Sequence, residues 1–295
     1  MSRFFDAVRR ADEARQHPRE PMRPAAPDLA ARERRPFRVI SVVSNKGGVG
    51  KTTVATNLAV YLRALREEVP ILLVGLDDQN VIDRMFAIEA GPPRETIADA
   101  LRSRSLAPAI RLGNFGVSYV PTSARIGELK RELSDPAHLE ETLARSGWRG
   151  LVIVDTKSDL EILTQNALAA SDLALVLVRD LTSLGEAQKV FELLAGWQRR
   201  PECARVLLSL VDLRVKYAHG EQRDLLALLL CEIRRRGLPL LETFLSSSPK
   251  IESLHSNPEG STLSILHGAP TSLVHRQMQH LAAEVLKTLE SAPPV

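Results

Sequence analysis

The run SNKGGVGKTTVATNL, Ser44–Leu58, decides the fold. Gly50, Lys51 and Thr52 fit the end of the phosphate-binding pattern G-x-x-x-x-G-K-[ST], but the first glycine of that pattern would fall on Asn45. An additional lysine, Lys46, follows instead, with Gly47 and Gly48 behind it. The β-branched apolar stretch FRVISVV (37–43) precedes the run, and a helical pattern continues to about Arg66. Strand, glycine loop and helix in that order are the setting that gives such a loop its chemistry. The glycines let the backbone close on phosphate oxygens, and the loop N–H groups and helix N-terminus meet the negative charge. Gly47, Gly48, Val49, Gly50, Lys51, Thr52 and Thr53 are therefore the candidate nucleotide cradle. Lys51 would reach the β- and γ-phosphates of ATP, and the Thr52 hydroxyl would ligate Mg²⁺.

Working outward, apolar runs alternate with helical patterns. PILLVG (70–75), GVSYVP (116–121), GLVIVD (150–155), LALVLV (173–178) and ARVLLSL (204–210) read as further strands, with PLLETFL (239–245) as the last candidate. Helices are expected over 125–133, 137–145, 161–170, 184–197, 221–236 and about 272–290. Continuous apolar strands alternating with helices predict an α/β fold, a mostly parallel sheet of about seven strands with helices on both faces. Ligands in such sheets sit beyond the carboxyl ends of the strands. Two of those ends carry carboxylates. Asp155 closes GLVIVD and suits a Mg²⁺ ligand acting through water. Asp77, in GLDDQN, can orient an attacking water, although the same composition also suits a turn.

Bulk properties narrow the class. The chain has 295 residues and a net charge of +3, with only 4% aromatic residues, too few for a base-stacking surface. Residues 1–36 hold nine Arg against six acids, so the remainder is neutral overall. Residues 1–36 read as an Arg- and Pro-rich tail, and residues 37–295 as one domain. Within the tail, residues 2–15 have the spacing of a short helix, and five prolines follow in 16–36. Solvated chain and a docking helix for a partner or membrane surface both remain open for it. Cys203 and Cys231 have neither disulfide nor metal spacing and fit a reducing, cytoplasmic setting. No apolar run is long enough to span a membrane. A local basic face is expected from Arg214, Lys216, Arg223, Arg234, Arg235 and Arg236. The last three also read as a solvated helix end, where cations are favourable.

NKGGVGKTT resembles the deviant Walker A motif, K-G-G-x-G-K-[ST]-T, of the ParA/MinD family of ATPases. The likeness runs on through LLVGLDDQN and VIVDTKSDLEILTQNALAASDLALVLV and fades after Val178. It implies a three-layer P-loop NTPase using ATP and Mg²⁺. It implies an ATP-dependent homodimer in which Lys46 reaches the phosphates bound by the other subunit, and Asp77 serves hydrolysis. The function implied is a switch that positions or segregates DNA or another large cargo. Its ATPase would be slow and stimulated by a partner or cargo adaptor, and it would be cytoplasmic and nucleoid-associated. The alternative is an ATP-binding regulatory or assembly protein of a polysaccharide or envelope secretion system. Four positions depart from the family pattern: Gly75 for an aspartate, and Asp78, Lys157 and Ser158 for prolines. The cysteines stand in the wrong regions for a cluster-bearing reductase of this class. There is no terminal tyrosine cluster of the capsule-kinase kind, and TLESAPPV is not a basic amphipathic end.

Overall fold

A computed structural model describes residues 35–88, 91, 93–199, 203–219, 221–254 and 264–291. The expected helix within residues 2–15 and the proline-rich stretch up to residue 34 lie outside the described residues.

The chain enters at β1 (Phe37–Val43) and passes the glycine loop into helix α1 (Lys51–Leu65). Next come β2 (Ile71–Gly75), α2 (Val81–Phe86), α3 (Ile97–Ser103), β3 (Arg111–Leu112), β4 (Ser118–Val120), α4 (Leu129–Glu132) and α5 (His138–Arg145). β5 (Gly150–Asp155), α6 (Ile162–Ala170), β6 (Leu173–Val178), α7 (Leu181–Gly196) and β7 (Ala204–Leu208) follow. A hairpin of β8 (Lys216–His219) and β9 (Glu221–Asp224) leads to α8 (Leu225–Arg235), α9 (Pro249–Ser253), α10 (Ile265–Gly268) and α11 (Leu273–Ser291). Seven strands form one sheet in the order β3-β4-β2-β5-β1-β6-β7, parallel except at the β3–β4 edge.

The core strands are buried on both sides, which is why they read as continuous apolar runs. Alternation along β1 sends Ile40 and Val42 to one face, where α1, α2, α10 and α11 cover them. Val39 and Val43 go to the other, under α3, α5 and α6 toward one side and α7 and α8 toward the other. β1 lies between β5 and β6, so the order reverses beside it, and a crevice opens at the carboxyl ends of its neighbours.

The structure differs from expectation in several places, beginning with α2 and α3, which the helical patterns did not include. PLLETFL forms no strand: one isolated bridge, Val206–Leu240, joins it to β7, and a second, Val211–Ser246, lies just beyond both segments. Side chains of α11 take its outward amides: the Glu284 carboxylate accepts from the N–H of Glu242 and Thr243, and Gln277 accepts from that of Ser246. The seventh strand is instead the two-residue β3 at the opposite edge. The helix expected from Glu221 begins at Leu225, because 221–224 pairs with 216–219 and the Asp224 carboxylate caps the N–H of Ala227 at 2.6 Å. At the amino end, Arg35 belongs to the folded body. Its guanidinium donates to Asp172 (2.7 Å) and Glu140 (2.9 Å) and lies 5.0 Å from the Phe37 ring.

Candidate functional site

Because the core strands run in parallel, the ends of β1, β2, β5, β6 and β7 meet on one edge. The glycine loop turns there on two left-handed residues, Gly48 (φ 73°) and Gly50 (φ 90°), which a side chain would strain. Val49 between them is buried and anchors the loop in the core. Lys51 opens α1 and is only 6% exposed. Its ammonium donates to the Ser158 hydroxyl at 2.6 Å and lies 3.5 Å from the Lys46 carbonyl. Burial pulls its pKa down, against the charges of Asp155, Asp77 and Asp159.

Asp155 is 1% exposed at the end of β5. Burial raises its pKa to about 7, while a hydrogen bond from Thr52 and the charge of Lys51 pull the other way. Its Oδ1 has no hydrogen-bond partner among the described residues. A buried carboxylate oxygen without a donor, beside a threonine hydroxyl at the start of α1, is the donor set a hard divalent cation takes. These residues fit Mg²⁺ on that ground. Asp77, just past β2, also has a raised pKa, through partial burial and the Asp78 hydrogen bond. Asp78 is held down at about 2, chiefly by Lys157, whose ammonium is 2.9 Å away.

The sequence-predicted residues Gly47–Thr53, Asp77 and Asp155 thus stand around one crevice. Lys46 stands at its rim, turned to its own subunit: its ammonium lies 2.8 and 2.9 Å from the two carboxylate oxygens of Asp180. Asn45 donates to Glu186, and Arg179 donates to the Gly48 carbonyl at 3.1 Å. Asp180, which also caps α7 by accepting from Ser183 N–H, was not legible as a loop partner, although D-x-x-S before an apolar run marks the cap.

The loop after β5 carries two of the departures from the family pattern, Lys157 and Ser158, and is tied at both ends. Thr156 donates to the Val42 carbonyl at 2.9 Å, and Asp159 accepts from Lys130 at 2.7 Å. The Gly75 departure has a steric reason. A Cβ there would stand 2.7 Å from Ile82 Cδ1 and 3.2 Å from Thr122 Cγ2, so α2 fills the space an aspartate would need.

Residues 37–192 match the family described as an AAA domain. ParA, the chromosome partitioning protein of Caulobacter vibrioides, is 28% identical over 206 residues, 65% of this chain and 76% of its own. The chromosome-partitioning ATPase Soj of Thermus thermophilus is 29% identical over 269 residues, 86% and 98% of the two chains. The chain belongs to the ParA/MinD family of P-loop ATPases. The fold extends further than the sequence likeness. A cobyrinic acid a,c-diamide synthase from Mycobacterium smegmatis, solved with ADP and magnesium, superposes with a TM-score of 0.67 at 18% identity, covering 88% of this chain and 98% of the other.

The expected basic face is split. Lys216 pairs in register with Asp224 at the amino end of α8, and Arg234–Arg236 lie at its carboxyl end, roughly 15 Å away at 1.5 Å per residue. Arg214 is 81% exposed but held by Asp212 at 2.8 Å. Glu232 takes both Arg235 (2.7 Å) and Arg236 (2.9 Å). Arg234 is exposed, with no ion pair among the described residues. The side chain of Arg223 lies outside the described residues. No helix among the described residues is long and apolar enough to cross a membrane.

Proposed function

We propose that the protein is an ATP-dependent dimerising switch that positions or segregates DNA or another large cargo, with slow, partner-stimulated hydrolysis. The observation that carries the reading is the meeting of buried Lys51, Thr52 and Asp155, with its unpartnered Oδ1, under a glycine loop at the reversal of strand order. The partitioning names of the relatives, at 28–29% identity, supply the cargo class. The ADP and magnesium of the fold neighbour accord with the ligand chemistry of the site.

In this reading the loop N–H groups and Lys51 bind the β- and γ-phosphates, and Thr52 and Asp155 hold Mg²⁺. The cation, when bound, offsets charge on the phosphate oxygens. Asp77 stands where a carboxylate orients the attacking water. Its raised pKa brings it toward the range in which a carboxylate can also take that water's proton. Lys46 completes the site of the other subunit, which makes hydrolysis conditional on dimerisation. Stimulation by a partner follows as the step that brings these groups into register.

Calorimetry and light scattering test the reading. The parent should bind Mg-ATP, Lys51→Ala should abolish binding, and Asp77→Ala should bind ATP and accumulate as a dimer without turnover. A Lys51→Ala variant that binds as tightly as the parent removes the site. A protein that stays monomeric with ATP removes the switch.

A further inference from the structure

Ser158 holds the buried ammonium of Lys51, and nothing in phosphate binding by the glycine loop requires it to. The bond is short, 2.6 Å, and Ser158 itself is exposed at the mouth of the crevice. A Cβ on Gly47 would stand 3.8 Å from its Oγ, so the hydroxyl lies against the loop as well as against the lysine. The segment that carries it is fixed on every side. Thr156 is pinned to β1. Asp159 accepts from Lys130, from the N–H of Glu161 (3.1 Å) and from the Thr164 hydroxyl (3.2 Å). Lys157 is tied to Asp78 across the crevice.

We propose that Ser158 is a ligand of the terminal phosphate of ATP, giving this chain a hydroxyl contact that discriminates ATP from ADP. The proposal rests on the ATP-binding reading above. Its chemistry follows from hydrogen-bond capacity. A serine oxygen can accept from Lys51 and still donate its own proton. Lys51 has three donors: Ser158 takes one, and the long 3.5 Å contact to the Lys46 carbonyl gives way to the β-phosphate. A γ-phosphate oxygen beside Lys51 takes the third and lies within reach of the Ser158 hydroxyl proton. The oxygen then receives one donor from the lysine and one from the serine, and the short Lys51–Ser158 bond does not have to break. ADP ends one phosphate short of the hydroxyl, so the added contact belongs to ATP alone. The anchors at 156, 157 and 159 hold the hydroxyl in place before binding, which avoids the ordering cost a mobile loop would carry.

The test is the ratio of ATP to ADP affinity, measured with Mg²⁺ by calorimetry on the full chain. Ser158→Ala should lower ATP affinity about tenfold, the scale of a hydrogen bond to a charged group, and leave ADP affinity within about twofold. Ser158→Thr, which keeps the hydroxyl, should restore most of the ratio. If Ser158→Ala binds both nucleotides with the parent ratio, or weakens both equally, the assignment to the terminal phosphate is overturned while the ATP site stands. If the parent binds neither nucleotide, the ATP-binding reading falls and this assignment with it.

Discussion

Lys46 and Asp180 form a two-oxygen ion pair within one subunit, at 2.8 and 2.9 Å, so the lysine expected to serve a second subunit is held at home. Both side chains are about a third exposed, 32% and 39%, so the pair is weak enough to exchange. In the proposed dimer, a phosphate group carried by the other subunit is the stronger partner. On that proposal Asp180 is a latch on dimerisation. Asp180→Asn retains a good helix cap and loses the charge. It should strengthen ATP-dependent dimerisation several-fold in light scattering, most visibly at low salt. A variant that dimerises no better than the parent would show that the pair is a surface contact without consequence.

Asp155 offers a prediction in which stability and binding move in opposite directions. Its pKa rises from an ordinary value near 3.8 to about 7, because burial disfavours the charged form. The folded state therefore binds this proton more tightly than the unfolded chain. The resulting destabilisation is absent below about pH 4, grows between pH 4 and 7, and is complete above 7. Asp155→Asn should stabilise the metal-free protein at pH 8 by on the order of 1–3 kcal/mol in thermal melts. It should at the same time abolish the Mg-ATP-induced rise in Tm. In the parent, Mg-ATP affinity should fall below pH 7 as protons compete for the same carboxylate. An Asn variant that melts lower than the parent without metal would contradict the reading that the Thr52 hydrogen bond and the Lys51 charge repay only part of the cost of burying Asp155.

Most of the frame was legible because the core strands are buried on both faces and read as unbroken apolar runs. The loop was legible because Gly48, Gly50, Lys51 and Thr52 are set by local chemistry. What was hidden depends on long-range contacts. Nothing near Pro239–Ser246 announces that Glu284 and Gln277, some forty and thirty residues away, will take its amides. Nothing near Gly75 announces that Ile82 fills the space beside it. Lys46 was recognised and its resting partner was not, since Asp180 lies 134 residues on and is brought close only by the β1–β6 pairing. The β8–β9 hairpin was masked by LLALLL, whose helical signal is strong enough to draw the preceding residues into the same helix.

Arg35 is tied into the folded body two residues before β1. Its partner Asp172 is 3% exposed and also accepts the N–H of Val39 at 2.7 Å, so the pair fixes the first strand against the turn before β6. Arg35→Ala leaves that carboxylate with Arg38, 3.4 Å away, as its one charged partner among the described residues. The loss should be about 2–4 kcal/mol in urea unfolding. Removing residues 1–34 while keeping Arg35 should cost far less. Equal losses from the two changes would place the stabilising contact in the tail instead.

The basic residues at the end of α8 make a prediction whose sign depends on Glu232. Counted as charges, Arg234, Arg235 and Arg236 look like a phosphate-binding cluster. Glu232 takes two of them, and burial does not explain its low pKa of about 2: the hydrogen bonds from Arg235 and then Arg236 do. The face therefore offers DNA little more than Arg234 until Glu232 lets go. If this end of α8 contacts DNA, Glu232→Gln should strengthen sequence-independent binding of the ATP-loaded protein. It should also steepen the log–log salt dependence by up to about 1.8, near 0.9 for each freed arginine that reaches a phosphate. Arg234→Ala should weaken binding and flatten the slope by about 0.9. Filter binding across a salt series reads both. Two slopes equal to the parent's would remove α8 as the DNA face and leave the Lys216 end of the molecule, on the nucleotide side of the sheet, as the place to look.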